Sequence, residues 1–201
     1  MTRGRPLAFS PDQAASAAMQ VFWRHGFEAA STRDLLEAMA ISRSSLYQAF
    51  GNKERLFLEA LRRYREALLA RLERRLDAAP SAMAFLEALF GDTADEAGSD
   101  RAALGCLIFN SATELGQRGD PPAEQARESL ATISTFFQRA IVQAQAEGDI
   151  DPERDAAALA GYLTMGMAGL RTLLKSGADA RQARQAVDLL LETLKRSPPE
   201  G

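Results

Sequence analysis

The chain has 201 residues, 46% hydrophobic and 25% charged, with one Cys, one His and a formal charge of −3. One Cys excludes an intrachain disulfide, one His with one Cys makes a classical zinc site within a single chain nearly impossible, and a single His excludes any mechanism needing two. Charge-free runs are too short or too rich in Ala, Gly and Ser for a 20-residue membrane span, and no apolar leader core opens the sequence, so the expected compartment is the cytoplasm.

Helical periodicity runs through almost every segment, and no convincing strand alternation appears. Thr2-Arg3-Gly4-Arg5-Pro6 reads as a flexible basic arm over 1–7. Ser10-Pro11-Asp12-Gln13 reads as a capping box with Pro at the first helical position. Ala14, Ala18, Val21 and Phe22 then mark one helix face, which His25-Gly26 closes. Ser31-Thr32-Arg33-Asp34 caps a second, short helix with Leu35, Leu36 and Met39 on its apolar side. After Ala40-Ile41, Ser42 caps a third with Leu46 and Phe50 inward. Gly51-Asn52 breaks the chain before a long helix from Lys53 towards Asp77.

Helices are also expected from Pro80-Ser81 to about Ala94, over roughly 102–115, and from about Pro122 to Glu147. Two more cover about 153–176 and 178–196, separated by Gly177. The fold class is therefore all-α, with about nine helices and a disordered tail over 198–201. Regional charge divides the same way. Residues 1–65 carry ten basic and six acidic side chains, a net +4, and the remaining 136 carry −7. A basic head on an acidic body fits an anion-binding module joined to a part that avoids anions.

Two short helices and a three- to four-residue turn, over 31–50, have helix-turn-helix dimensions. Such pairs also occur in plain bundles, so the residue types carry the argument. The outer face of the second helix would present Arg43, Ser44, Ser45, Tyr47 and Gln48. Arg forks onto guanine, Gln onto adenine, and small Ser lets the backbone approach a groove. Thr32, Arg33 and Lys53 stand at helix starts, where N–H groups and positive charge suit phosphates. Arg3 and Arg5 suit a narrow minor groove.

The stretch GFEAASTRDLLEAMAISRSSLYQAFGNKERLFL, from Gly26 to Leu58, resembles the signature of TetR-family transcriptional regulators. Flanking spacing agrees over 8–68, and the helical layout agrees with the rest. The resemblance implies a helix-turn-helix DNA-binding domain over 8–68 and a helical effector-binding and dimerisation domain over 69–197. It also implies that Arg43, Ser44, Ser45, Tyr47 and Gln48 meet DNA, with Thr32, Arg33 and Lys53 on phosphates. Many relatives carry a GRP-type leader like the one here. Three departures stand out: Ala40 replaces the usual turn Gly, Ser44-Ser45 replaces Gly-Thr, and Ala49 replaces a bulky aromatic. Ala40 argues against an obligatory positive φ in the turn.

The implied effector pocket draws its candidates from Tyr64, Leu68, Phe85, Leu89, Cys106, Phe109, Asn110, Thr113, Ile133, Phe136, Phe137, Tyr162 and Met165. Their mostly aromatic and aliphatic character points to a small, mostly apolar effector. Most would serve equally well as core. Asn110, Thr113, Glu114 and Tyr162 are more informative, because buried polar groups need partners. Cys106, in Gly105-Cys106-Leu107, opens the helix over 102–115, where a helix N-terminus favours the thiolate. This Gly-Cys-Leu stretch resembles a sub-group of the family, some members of which respond to electrophiles or oxidants. A lone Cys is more often a small buried apolar residue.

Leu159, Leu163, Met167, Leu170 and Leu174 form one stripe, and Val187, Leu190, Leu191 and Leu194 another. Both read as the interface of a homodimer, with Gly161, Gly166 and Gly169 allowing close helix approach. The same stripes would also serve packing within one subunit. The functional expectation is a repressor on a palindromic double-stranded operator, released by its effector. It needs no metal or cofactor, does not engage a membrane and is not an enzyme. The alternatives are control through Cys106 or a protein partner, and a helical small-ligand carrier without DNA function.

Overall fold

The computed structural model describes residues 9–195. Ten helices make up their regular structure: α1 Pro11–Ala29, α2 Thr32–Met39, α3 Arg43–Phe50, α4 Lys53–Ala78, α5 Ala82–Asp95, α6 Asp100–Leu104, α7 Leu107–Leu115, α8 Pro121–Glu147, α9 Ala156–Lys175 and α10 Ala180–Glu192. No strand occurs among the described residues, and the fold is all-α as expected. The count exceeds nine because the segment read as one helix over 102–115 is two. Gly105 adopts φ 68° and ψ −145°, which ends α6, and Cys106 precedes α7 directly. Apolar spacing continues across the break through buried Ala102, Leu107 and Ile108, so periodicity alone conceals it.

The chain forms two compact units. The first holds the described residues up to Glu66 together with Leu107–Ser129; the second holds Ala67–Cys106 and the residues from Leu130 onward. The first unit is therefore not a continuous stretch. It takes α7 and the start of α8 from the middle of the sequence.

Local chemistry sets its helix starts. Ser10 Oγ accepts from the Gln13 N–H at 3.4 Å, ahead of Pro11. Ser31 and Asp34 form a full capping box, and the two hydrogen bonds from Ser31 hold the Asp34 carboxyl below its usual range. Ser42 Oγ accepts from Ser45 N–H at 3.1 Å to start α3, and Asn52 Oδ1 accepts from Arg55 N–H at 2.8 Å to start α4. Aromatic rings fill the centre. Phe22 meets Phe57 edge-on at 5.1 Å, Phe27 lies 4.9 Å from Phe57, and Trp23 meets Tyr64 at 4.9 Å. Leu35, Leu46, Leu56 and Leu61 complete this core at 1% exposure or less, each worth about 1.5–3 kcal/mol of burial.

The second unit packs α10 against α5 and α9, and α6 against α9. Its centre is another aromatic cluster, with Phe85–Phe136 at 5.8 Å, Phe90–Phe137 at 6.1 Å and Phe136–Phe137 at 6.2 Å. Glu147 at the end of α8 accepts from the Ala82 N–H at 2.7 Å and so caps α5. Arg171 of α9 donates to Glu96 at 2.5 Å, tying α9 to the segment between α5 and α6.

This packing corrects the expected dimer stripe. Leu159, Leu163, Met167, Leu170, Leu174, Val187, Leu191 and Leu194 are all buried inside a single subunit, and Leu190 is half-buried. Gly166 belongs to the same intrasubunit contact, because a Cβ there would stand 2.0 Å from Leu190 Cδ1. The opposite face of α9 is the open one. Gly161 and Gly169 have nothing near their Cβ positions, while Met165 is 65% and Leu173 37% exposed. Those four residues recur every four positions, in one line along the helix.

Candidate nucleic-acid interface

The helix-turn-helix is α2, the turn Ala40-Ile41-Ser42, and α3. Ala40 occupies the left-handed region at φ 52°, ψ 40°, with its N–H bonded back to the carbonyls of Leu36 and Glu37. The turn therefore does require a positive φ, contrary to the reading of Ala40 from sequence. A side chain in that region costs about 1–2 kcal/mol, which the surrounding contacts offset.

Leu46 anchors α3 at 1% exposure. With that residue inward, Arg43, Ser44, Tyr47 and Gln48 face solvent, Tyr47 at 52%, and Ser45 is half-buried. The three serine hydroxyls associate, Ser42 Oγ lying 2.9 Å from both Ser44 Oγ and Ser45 Oγ. Among the described residues no hydrogen bond or ion pair ties down the side chains of Arg43 or Gln48. A guanidinium and a carboxamide on one exposed helical face match the edges of guanine and adenine.

The phosphate candidates separate. Arg33 is exposed and Thr32 half-buried in the first turn of α2. Lys53 is half-buried and already engaged: its Nζ donates to the Glu28 carbonyl at 3.2 Å and lies 4.8 Å from the Phe27 ring centroid. A phosphate contact by Lys53 would therefore share or replace that bond. Arg3 and Arg5, and the expected tail, lie outside the described residues.

Sequence reading missed a second feature of this unit. Gly26 interrupts α1 at φ 81°, ψ 178°, leaving the next N–H groups without helical partners. Glu114 of α7 supplies them. Its Oε2 accepts from Phe27 N–H at 3.0 Å and its Oε1 from Glu28 N–H at 2.8 Å. Arg118 pairs with the Glu28 carboxylate and stands over the Phe27 ring, and hydrogen bonding to Glu28 raises its pKa. Arg127 of α8 in turn donates to the carbonyls of Gly116 and Arg118. Partners 86 and more residues apart leave no local signal. The Gly26 break was the one readable sign that orphan donors needed an acceptor.

The pocket candidates fall in both units. Tyr64 is core of the first unit, against Trp23. Phe109 and Asn110 are half-buried in α7. Thr113, its hydroxyl donating to the Phe109 carbonyl at 2.9 Å, and Glu114 are both exposed, so neither is the buried polar group expected. In the second unit Phe85, Leu89, Cys106, Ile133, Phe136 and Phe137 are buried, while Leu68 and Tyr162 are half-buried. Met165 leaves the list, since it stands on the open face of α9.

Comparison with known proteins agrees with this architecture. Residues 15–60 match the family model of bacterial regulatory proteins, tetR family, and residues 82–190 that of the tetracyclin repressor-like C-terminal domain. The HTH-type transcriptional repressor ComR of Escherichia coli strain K12 is 32% identical over 185 residues, 92% of this chain and 88% of that one. A cysteine-substituted form of the TetR family transcriptional regulator CifR, complexed with 26bp double-strand operator DNA, is 32% identical. It has a TM-score of 0.79, over 95% of this chain and 100% of that one. The reduced form of E. coli NemR has a TM-score of 0.82 at 15% identity, over 94% and 98%, a likeness of fold alone. With its helix-turn-helix intact and both domain models matched, the chain belongs to the TetR family of DNA-binding transcriptional regulators and is not an enzyme.

Proposed function

We propose that this regulator is a cytoplasmic repressor that binds a palindromic operator as a homodimer and is released by a small, mostly apolar effector. The observation that carries the operator reading is the α3 face of Arg43, Ser44, Tyr47 and Gln48, exposed around the buried Leu46 anchor. Two such helices in a dimer reach successive major grooves about 34–36 Å apart. The dimer would form through the open stripe Gly161, Met165, Gly169 and Leu173, where glycines let two copies of α9 approach closely. The repressor role has support from ComR, which is named as one. The reading of a mostly apolar effector has support from the aromatic character of the lining candidates Phe85, Phe136 and Phe137. The carrier without DNA function falls with family membership.

The effector would act by favouring a conformer whose two α3 helices no longer match the operator, by no more than its differential affinity for the two conformers. α4 starts among the described residues of the first unit and ends in the second, as α8 does, and the Cys106–Leu107 link also joins them, so these three segments are the covalent routes for that change. The test is transcription in vitro from a promoter carrying a duplex selected by the wild-type protein. A repressor lowers the transcript, and a panel of small aromatic and aliphatic compounds, but not sugars, restores it. An unchanged or raised transcript would overturn the repressor reading.

A second reading keeps DNA binding and assigns control to Cys106. Its support is position, since the thiol stands in the link between α6 and α7, immediately before α7. Burial of that side chain, at 6% exposure, favours packing instead. Treating wild type and Cys106→Ser with an electrophile separates the readings: equal loss of duplex binding removes the cysteine from the mechanism.

A further inference from the structure

We propose that Glu114 is a positioning residue for operator binding, a two-oxygen latch that fixes the entry to the helix-turn-helix. The inference rests on the DNA-binding reading and goes beyond it, because Glu114 lies on none of the three helices of the DNA-binding module. Its carboxylate spans two successive backbone donors, one oxygen to Phe27 N–H at 3.0 Å and the other to Glu28 N–H at 2.8 Å. Gly26 makes this approach possible twice over. It supplies the positive φ that turns both N–H groups outward, and a Cβ there would stand 2.6 Å from Glu114 Oε2.

The gripped segment governs both its successors in the chain and its neighbours in space. Ala30 leads directly to Ser31, the N-cap of α2. The Glu28 carbonyl accepts from Lys53, so the same residues also fix the first side chain of α4. The Phe27 ring carries Lys53 on one contact and Arg118 on another, and packs on Phe57 inside the core. Thr32, Arg33 and Lys53, the phosphate-facing candidates, thus all depend on a segment whose backbone is held by one carboxylate. Arg118, its own carbonyl held by Arg127, braces Glu28 from a second direction.

The chemistry of the latch makes it selective. A carboxylate offers an acceptor to each N–H, whereas an amide of the same size offers one acceptor and turns its own N–H₂ towards the other donor. Glu114→Gln therefore keeps the volume and breaks the bidentate bond. Loosening the segment lets the α2–α3 pair move relative to α1, which harms register on a specific duplex and leaves diffuse phosphate attraction intact.

The experiment uses the full-length protein and a duplex selected from a random pool by wild type, with poly(dI-dC) as the non-specific probe. Amide exchange at Phe27 and Glu28, the thermal midpoint and both affinities are measured for wild type, Glu114→Gln and Glu114→Ala. The latch predicts faster exchange at those two amides and about tenfold weaker binding of the selected duplex in Glu114→Gln, the order of one charged hydrogen bond, with poly(dI-dC) binding unchanged. Selected-duplex binding within about twofold of wild type, on a scale where tenfold is about 1.4 kcal/mol, overturns the proposal. So does failure of Glu114→Gln to fold, since that would make the carboxylate a stability element and not a positioning one. Failure of wild type to select any duplex would instead strike the DNA-binding reading itself.

Discussion

The two units expose opposite kinds of surface from similar interiors. Each has an aromatic centre, Phe22, Phe27 and Phe57 in one and Phe85, Phe90, Phe136 and Phe137 in the other. Outside, the first unit shows the polar face of α3 with Tyr47 as its exposed large apolar residue. The second shows Val142, Met165, Leu173 and Leu189. Ion pairs occur in both units, Arg62, Arg63 and Arg118 pairing with acids in the first as Arg75, Arg171 and Arg184 do in the second, but Arg43 on the α3 face keeps its guanidinium unpaired among the described residues. A surface meant for a hydrated polyanion keeps cations available, and one meant for a second protein surface keeps methyl groups and glycines available.

The largest test of that contrast lies inside α3. Leu46→Ala should destabilise the protein by about 2–5 kcal/mol, as expected for a fully buried leucine. Arg43→Ala and Gln48→Ala, on the exposed side of the same helix, should leave stability within about 0.5 kcal/mol and weaken a selected duplex by about 1–3 kcal/mol each. Urea denaturation and duplex titration check both halves. If the exposed pair changed stability and not binding, the assignment of the face would be wrong.

The next test separates the two faces of α9. Gly166→Ala drives a methyl group into Leu190 and should cost about 1–3 kcal/mol of subunit packing. Gly161→Ala meets nothing within 4 Å in the subunit, so only association should suffer. Met165→Asp should leave the helical circular dichroism intact and give a monomer by light scattering at micromolar concentration. A Met165→Asp dimer would remove this face from the interface.

These helices also show what the sequence could and could not disclose. The starts of α1, α2 and α3 were readable because Ser10, Ser31 and Ser42 act on N–H groups three residues away. The α3 face was readable because Leu46 alone in its middle had to go inward. The choice of face on α9 was not, because both sides are apolar or small and periodicity gives a phase only when one side is polar. The left-handed Ala40 was concealed by residue type, and the α6–α7 break by apolar spacing that continued across Gly105. Glu114 lies furthest from view, since its partners are 86 and 87 positions away. Even the basic head changes in space. The α7–α8 segment adds Glu114, Asp120, Glu124 and Glu128 to the first unit against Arg118 and Arg127.

Ala40 allows a smaller and oppositely signed test. Ala40→Gly relieves the left-handed strain and should raise stability by about 0.5–1 kcal/mol, read from the denaturation midpoint. A loss on that substitution would contradict the φ of 52°. The smallest expected effect is electrostatic. The hydrogen bond from Arg62, joined by one from Arg63, holds the Glu59 carboxyl below its usual 4.5. Because the folded value is depressed, this stabilisation is complete above the unfolded value and is lost as pH falls through the folded one. Glu59→Gln should therefore flatten the stability loss as pH falls below the usual carboxylate value of 4.5, while leaving that of Asp34 in place.

The central claim is that α3 reads DNA, and one titration addresses it most directly. Wild type and Arg43→Ala/Gln48→Ala are titrated with a duplex selected by wild type, over a range of salt. The account predicts that wild type prefers the selected duplex by about 10³-fold or more over a scrambled one, and that log affinity falls linearly with log salt. The double variant should lose most of that preference and keep most of the salt slope, because base-edge contacts specify and phosphate contacts only position. A double variant that discriminates the two duplexes as well as wild type does would contradict the claim.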